Sequence, residues 1–291
     1  MSQVPDGDTQ GLAVALEPVL REQCGGRLGT IEWFRAAWQR GGASTGFSTW
    51  RLDDGGEIRV LIKLPVGPVE HRWTSHLGAC DVRNWRGGDG AHLPVPRVVA
   101  SGEEVGGYDL AWLVVERFEG DPLSGQLSSC EHLPKTVEAL LRAAAEFQAA
   151  AVRQWKPDGH PKSPDWEPLL ERSREVAKSG RIAEGQKWND LVKKVAKHLP
   201  TLRRRWETRP INAWCHGDLH GGNAMLRKCS DGSERCVLID LAMVHPGHWT
   251  EDAVYLERQY WGCTELLDGL KPVSILAKYR RELGLGCDDH Y

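Results

Sequence analysis

The chain has 291 residues, of which 41% are hydrophobic, so it is long enough for one large domain or for two lobes with separate cores. Its formal net charge of −3 argues against the strongly basic surface with which many proteins bind nucleic acid. The N-terminal segment is acidic where a secretory signal is basic, and no apolar run of the sequence is long enough to span a bilayer. We therefore expect a cytoplasmic protein that binds neither nucleic acid nor membranes.

The eight cysteines do not suggest a metal site. They are spread along the chain without a CxxC pair, which argues against zinc. Cys229 and Cys236 flank a predicted turn and would face each other if that turn closed a hairpin. Because disulfides are rare in the cytosol, we favour reduced thiols for both.

The first part of the chain predicts a small antiparallel sheet. Five short apolar segments separated by turn-forming residues are interpreted as strands, over residues 31–38, 47–52, 58–64, 95–101 and 110–116. The Gly-rich run 41–46 is expected to be a loop between the first two strands. Two helices are predicted beside the sheet, over residues 10–24 and over residues 68–77, where Pro68 marks the start of the second.

After residue 118 the pattern becomes mainly helical. Residues 118–122 contain Gly and Pro and are predicted to form a hinge. Helices are expected over residues 134–153, in two or three pieces over 166–208, and over 251–261 and 273–284. We therefore predict an α+β chain with a small antiparallel-sheet N-lobe (residues 1–118) and a mainly helical C-lobe (residues 119–291).

The segment HGDLHGGN, residues 216–223, holds the most informative polar side chains. Asp218 precedes Asn223 by five positions, and Asp240 follows a short apolar run. Phosphoryl transfer from ATP needs one carboxylate to orient the attacking hydroxyl, and an amide and a second carboxylate to hold Mg²⁺ at the phosphates. We predict Asp218 as the catalytic residue and Asn223 and Asp240 as the metal ligands. His216 is expected to be structural, and His220 to contact the γ-phosphate or to face solvent.

The pattern HGDLHxxN followed by Ile239-Asp240-Leu241 resembles the aminoglycoside phosphotransferase and choline-kinase-like family. The resemblance covers about residues 30–262. It implies a bilobal protein-kinase-like fold with the active site between the lobes, and a structural role for Asp252. Only eleven residues separate Asp240 from Asp252, too few for a typical activation segment. We therefore expect a small-molecule acceptor rather than a folded protein.

The resemblance also implies that the N-lobe binds the nucleotide through a lysine. Lys63, within the run VLIKL, is similar to the phosphate-binding lysine of kinases. A lysine supplies a compact positive charge to the α- and β-phosphates. Glu70 is the expected partner of Lys63, and Asp81 is the alternative.

Two further nucleotide contacts are expected in the N-lobe. The Gly-rich loop should cover the triphosphate with backbone N–H groups, and Ser44, Thr45 and Gly46 are its predicted phosphate contacts. The adenine should lie against the hinge, near Glu116 and Phe118. The Gly-rich loop lacks a clean GxGxxG pattern, so Lys63 is stronger evidence for a nucleotide site than this loop is.

Together these residues predict an ATP- and Mg²⁺-dependent phosphotransferase that moves the γ-phosphate to a hydroxyl of a small molecule, of antibiotic, sugar or amino-alcohol type. The alternatives are an aminoglycoside-inactivating kinase specifically, or a nucleotide-binding regulator without turnover. Ten basic residues against three acidic ones over residues 178–209 would suit a neutral or anionic acceptor if they border its site. A cationic acceptor is still an alternative, because five acidic residues could bind it: Asp158, Asp165, Glu167, Asp288 and Asp289.

Overall fold

A computed structural model describes residues 9–34, 43–82, 85, 92–123, 133–159 and 163–287. Its first part contains five strands: β1 (Glu32–Phe34), β2 (Ser44–Arg51), β3 (Glu57–Val66), β4 (Val98–Gly102) and β5 (Ala111–Glu116). They form one antiparallel sheet in the order β1-β2-β3-β5-β4. Two helices accompany the sheet, α1 (Thr9–Gln23) and α2 (Pro68–Leu77).

The second part is mainly helical. Its helices are α3 (Leu133–Gln154), α4 (Trp166–Lys178), α5 (Gly185–Thr208), α6 (Glu251–Arg258) and α7 (Pro272–Glu282). Four short strands form two antiparallel pairs: β6 (Ala213–Cys215) with β9 (His245–Gly247), and β7 (Ala224–Lys228) with β8 (Glu234–Leu238). Across the described ranges, none of these helices is long and apolar enough to cross a membrane.

The predicted α+β organisation is confirmed, and two details of it were wrong. Residues 44–46 belong to β2 rather than to a loop, while residues 41 and 42 lie outside the described part. Strand β4 starts at Val98 instead of residue 95, because Pro94 and Pro96 cannot donate to a ladder. Residues 35–38, predicted to extend the first strand, also lie outside the described part, and the lobe boundary at residue 118 stays a prediction.

The hairpin between β7 and β8 forms as predicted, but its cysteines do not face each other. Cys236 pairs with Leu226 in the strand register, whereas the backbone N–H of Cys229 donates to the carbonyl of Ser233 at 2.8 Å. Both thiols are free. Burial raises the pKa of the Cys236 thiol to about 12, so this side chain behaves as a small hydrophobic group.

Two hydrophobic cores hold the molecule together, and α2 links them. The alternating inner face of β2 and β3 packs under α1, with Ile62 and Leu20 fully buried. Helix α2 borders the sheet, yet its Trp73 belongs to the core of the helical part. The Trp73 ring lies 4.8 Å from the rings of Trp155 and Trp214. These tryptophans therefore fill a core, as expected for large amphipathic side chains.

Candidate active site

The loop that carries Asp218 leaves strand β6 through a turn at Gly217. Gly217 has a φ of +84°, and a Cβ atom there would lie 2.3 Å from the carbonyl oxygen of Met243. Both conditions favour glycine, which adopts positive φ readily and has no Cβ atom. Glycine at this position therefore allows the chain to turn sharply just before Asp218.

The start of this loop is fixed by Asp252 and His216. Asp252, 1% exposed in the first turn of α6, accepts hydrogen bonds from the backbone N–H groups of His216 (2.9 Å) and Gly217 (3.0 Å). The buried His216 ring has Nε2 at 3.0 Å from the carbonyl of Ile239, and its Nδ1 accepts the backbone N–H of Asp218 at 3.3 Å. The structural roles predicted for both residues are confirmed by these contacts.

Each carboxylate oxygen of Asp218 has its own protein donor. Oδ2 accepts Nδ2 of Asn223 at 2.9 Å and lies 3.5 Å from Nε2 of His220. Oδ1 accepts the hydroxyl of Tyr255. Because Nδ1 of His220 accepts the N–H of Gly222 at 3.0 Å, the proton of a neutral ring lies on Nε2 and faces Asp218. His220 therefore faces the carboxylate and not solvent alone.

These contacts set the protonation of Asp218. Burial acts to raise the pKa of its carboxyl, but the Tyr255 hydroxyl, the nearby His220 and the Asn223 amide outweigh burial and hold it below its usual value. Burial and the bond to Asp218 raise the pKa of Tyr255, so its hydroxyl stays a donor. An ionised carboxylate that takes up protons weakly suits the orientation of a hydroxyl rather than its early deprotonation.

Asp240 combines a fixed backbone with a free side chain. Its φ of 60° and ψ of 66° are left-handed, an uncommon conformation for a residue other than glycine. The preceding Ile239 donates its N–H to the carbonyl of Asn223 at 2.9 Å, and its own carbonyl contacts His216. The Asp240 side chain is exposed and has no hydrogen bond or ion pair with any described residue.

The oxygen atoms left free at this loop fit a magnesium ion. Asn223 is 8% exposed, and its Nδ2 donates to both the carbonyl and the Oδ2 of Asp218. Its Oδ1 thereby points the other way and accepts no hydrogen bond within the described chain. Asp240 contributes a second unpaired oxygen ligand close along the backbone. Mg²⁺ prefers such hard oxygen donors and needs few of them from protein.

A second group of potential metal ligands is already satisfied by protein contacts. Cys215, His245 and Glu251 place one ligand atom each within 4.8 Å of one another. Glu251, however, accepts Nε of Arg209 at 2.9 Å and the N–H of His248 at 2.7 Å. The hydrogen bond to Glu251 also raises the pKa of His245, which favours the imidazolium form over a metal ligand. This group is therefore a hydrogen-bonded network that fixes α6.

Lys63 and Glu70 form an ion pair beside the segment that follows Asp240. The ammonium group of Lys63 on β3 contacts the carboxylate of Glu70 on α2, so Glu70 rather than the alternative Asp81 is the residue in contact with it. Glu70 is buried while Lys63 is partly exposed. Helix α2 packs against the turn Leu241–Met243. The lysine therefore belongs to the same region as the carboxylate of Asp240.

The predicted phosphate contacts on β2 lie on opposite faces of the sheet. Thr45 pairs with Lys63 in the register of β2 and β3, so both side chains project from one face. Ser44 pairs with Leu64, and its side chain is buried on the other face. The side chain of Ser44 therefore does not share the face of Lys63.

Gly46 has a packing function in the sheet. It lies between β1 and β3, opposite Trp33 and Ile62. A Cβ atom at this position would lie 2.4 Å from Cγ2 of Ile31. The prediction that Gly46 belongs to a loop was wrong, because it lies inside β2, where the close approach of the Ile31 side chain explains the glycine.

Glu116 binds two arginines through its buried side chain. Its carboxylate is 4% exposed and accepts Nε of Arg97 (2.8 Å) and Nε of Arg227 (3.0 Å). The backbone N–H of Glu116 donates to the carbonyl of Arg97 at 2.9 Å, and that of Arg117 donates to the carbonyl of Arg59 at 3.3 Å. Of the two residues expected beside the adenine, only Phe118 remains a candidate for a backbone N–H contact.

Two residues of this region were not identified from the sequence. Tyr255 contacts Asp218 across 37 positions of sequence, and Arg227 contacts Glu116 across 111. Tyr255 had one available signal, since it follows Asp252 by three positions and so lies on the same face of a helix. Arg227 had none, because a lone arginine in a short strand is usually exposed.

Sequence and structure comparisons give a consistent result. The sequence matches a family described as "Phosphotransferase enzyme family" over residues 40–271. No curated protein matches it significantly.

Three solved structures are similar to this chain. A type VIII aminoglycoside-3'-phosphotransferase is 22% identical over 94% of both chains, with a TM-score of 0.46. The GDP and kanamycin complex of APH(2")-IIia is 12% identical over 92% of this chain and 83% of that chain, with a TM-score of 0.50. A choline kinase from Cryptosporidium parvum is 14% identical over 94% of this chain and 78% of that chain, with a TM-score of 0.48.

Proposed function

Because this chain belongs to the phosphotransferase enzyme family, and so is a small-molecule kinase with a bilobal protein-kinase-like fold, we propose that the residues around Asp218 transfer the γ-phosphate of ATP to a hydroxyl group. The orientation of Asn223 carries this proposal. Its amide nitrogen binds Asp218, and its amide oxygen is left for a cation together with Asp240. The amide of Asn223 thus contacts Asp218, which would orient the hydroxyl, and offers its oxygen to a metal ion together with Asp240.

Asp218 acts on the acceptor hydroxyl in this proposal. The ionised carboxylate accepts the hydroxyl proton as a hydrogen bond and points the oxygen at the γ-phosphorus. A bond forms between that oxygen and phosphorus, and the bond from phosphorus to the bridging oxygen breaks with its electron pair left on the departing ADP. The hydroxyl proton passes to Asp218. Positioning and charge neutralisation supply most of the rate in such reactions, since the transition state is loose.

Asn223 and Asp240 would hold Mg²⁺, which when bound neutralises charge on the β- and γ-phosphates. Lys63, held by buried Glu70, supplies a second positive charge from the sheet. Thr45 lies beside Lys63 on the same face and adds a hydroxyl donor. Phe118 is retained as the adenine contact. In this assignment the N-lobe, residues 1–118, binds nucleotide, and residues 119–291 provide the catalytic loop and the acceptor site.

The acceptor is proposed to be a small neutral or anionic molecule with a free hydroxyl, such as a sugar, an alcohol or an uncharged antibiotic. The Arg258 guanidinium lies 3.9 Å above the ring of Tyr255, which itself contacts Asp218, and no described carboxylate pairs with it. A polycationic acceptor would therefore meet an uncompensated positive charge close to the reacting group.

An aminoglycoside acceptor is the second candidate, and the structure weakens part of its support. Glu167, one of the acidic residues that kept it open, accepts Nη2 of Arg203 at 2.6 and 2.7 Å. Asp288 and Asp289 lie outside the described residues. Expression of the wild type and of Asp218→Asn in a sensitive bacterium tests a resistance role, since resistance conferred by the wild type alone would establish an antibiotic acceptor.

A phosphate-transfer screen tests the proposed function itself. Purified protein with Mg·ATP is offered sugars, amino alcohols, aminoglycosides and other hydroxylated antibiotics, and Asp218→Asn is the matched control. We expect acceptor-dependent ADP formation by the wild type only. Binding of Mg·ATP without turnover on any acceptor would favour the alternative of a nucleotide-binding regulator.

A further inference from the structure

We propose that the hydroxyl of Tyr255 occupies the acceptor position on Asp218 until an acceptor arrives, and thereby protects ATP from attack by water. Tyr255 is a positioning residue in this proposal, since it acts through Asp218. The inference rests on the proposed function, because it needs Mg·ATP beside Asp218.

The two carboxylate oxygens of Asp218 accept hydrogen bonds from different donors, and this arrangement supports the role proposed for Tyr255. Oδ2 is held by Asn223 within the catalytic loop, at 2.9 Å. Oδ1 has one hydrogen-bond donor among the described residues, the Tyr255 hydroxyl. The attacking hydroxyl needs one carboxylate oxygen of Asp218 as its acceptor. Oδ1 can accept this hydroxyl without loss of the Asn223 hydrogen bond within the loop. The group that covers Oδ1 therefore decides what reaches the catalytic carboxylate.

Tyr255 is held in this position from several directions. It lies on α6, three residues after Asp252, which is bonded to the backbone of His216 and Gly217 at the start of the same loop. Residues three apart share a helix face, so α6 presents both side chains to the loop. On the other side of the ring, Arg258 stacks at 3.9 Å. The hydroxyl is thereby preorganised on Oδ1.

Tyr255 is nevertheless placed where an acceptor can compete with it. Its side chain is only partly buried, at the surface of a helix of eight residues. An acceptor that is held by further contacts in the site can replace a single phenol hydrogen bond. A water molecule has no such additional contacts and competes poorly with a preorganised donor.

The reaction that Tyr255 would suppress is hydrolysis of ATP. With Oδ1 uncovered, Asp218 can orient a water molecule towards the γ-phosphorus. The water oxygen forms the new bond to phosphorus, and the bond to the bridging oxygen breaks with its electron pair left on ADP. The water proton passes by way of Asp218 to the phosphate product. This side reaction needs only Mg·ATP and water, so it can be measured without knowing the acceptor.

The experiment compares phosphate release from Mg·ATP, without acceptor, by the wild type, Tyr255→Phe and Tyr260→Phe. Tyr260 is a matched control because it is partly buried two residues beyond α6 and packs against the core of the helical part. We expect Tyr255→Phe to hydrolyse ATP on the order of tenfold faster than the wild type, the effect of one removed competing hydrogen bond. We expect no change for Tyr260→Phe.

Two further measurements separate this role from a structural one. The double variant Asp218→Asn/Tyr255→Phe should lose the gain. Melting temperatures report folding, and Tyr255→Leu serves as a second variant if the phenylalanine is poorly tolerated. Hydrolysis by the folded variants at or below the wild-type rate, with normal Mg·ATP binding, would overturn the inference alone. Failure of the wild type to bind Mg·ATP at all would instead overturn the proposed function.

Discussion

The loop of residues 216–223 and the α4–α5 helix pair are attached to the molecule in opposite ways. In the loop, His216 and Leu219 are fully buried, and the backbone at its start is bonded to buried Asp252. In α4 and α5, by contrast, only Ala177, Asn189 and Leu199 are buried along 37 residues. These two helices pack mainly against each other.

This difference indicates where substitutions matter. A buried hydrogen-bonded loop loses both geometry and stability when one partner is removed, because the other partner is left unsatisfied. The surface of the helix pair carries exposed ion pairs such as Lys193 with Asp190, which contribute little in water. The chemistry is therefore expected to tolerate little change in the loop, while the helix pair is free to vary.

The largest effect is expected at the reacting group. Asp218→Asn keeps the size of the side chain but removes the charge that orients the hydroxyl, so turnover should fall by roughly a thousandfold. Affinity for ATP should stay near the wild-type value, because Asp218 is not among the proposed nucleotide contacts. Steady-state kinetics with any acceptor from the screen, together with calorimetric titration of Mg·ATP, measures both. Near-normal turnover in this variant would remove Asp218 from the mechanism.

A smaller but still large effect is expected on stability at Asp252. Asp252→Ala leaves the buried N–H group of His216 and the partly buried N–H group of Gly217 without their acceptor, so the free energy of unfolding should fall by roughly 3 kcal/mol. Asp252→Asn retains one acceptor oxygen and should cost less. Urea unfolding of the three proteins checks the order. Equal stability of the wild type and the alanine variant would show that these bonds do not hold the loop.

The smallest effect is expected on the helix pair. The Trp188 side chain is 51% exposed on α5, so Trp188→Ala should change the free energy of unfolding by no more than about 0.5 kcal/mol. The same urea unfolding experiment applies, with Trp249→Ala as a buried counterpart that should be strongly destabilised. A large loss at Trp188 would mean that the helix pair is not the loosely attached region described above.

The parts of this architecture that depend on neighbouring residues were predictable. Helix α2 was placed at its observed bounds, with Pro68 as the residue that favours its start. The contact between Asp218 and Asn223 joins residues five apart, so the sequence spacing alone suggested it. The α+β class followed from the order of the predicted elements along the sequence, with strands first and helices later.

The parts that depend on distant residues were not predictable. Gly46 resembled a turn residue, and only the packing of Ile31 over it explains a glycine inside a strand. The side-chain partners of Glu116, Arg97 and Arg227, come from distant parts of the sequence. Tyr255 could be placed on Asp218 only once α6 was positioned against the loop.

The central claim is that Asp218 faces the acceptor while Asn223 and Asp240 hold one divalent cation. A crystal structure of the protein with Mg²⁺ and a non-hydrolysable ATP analogue tests it most directly. We predict a magnesium ion bound by Oδ1 of Asn223 and a carboxylate oxygen of Asp240 at about 2.1 Å, with Asp218 outside its ligand shell. A nucleotide-bound ion held by other residues, with Asp240 directed into solvent, would contradict the claim.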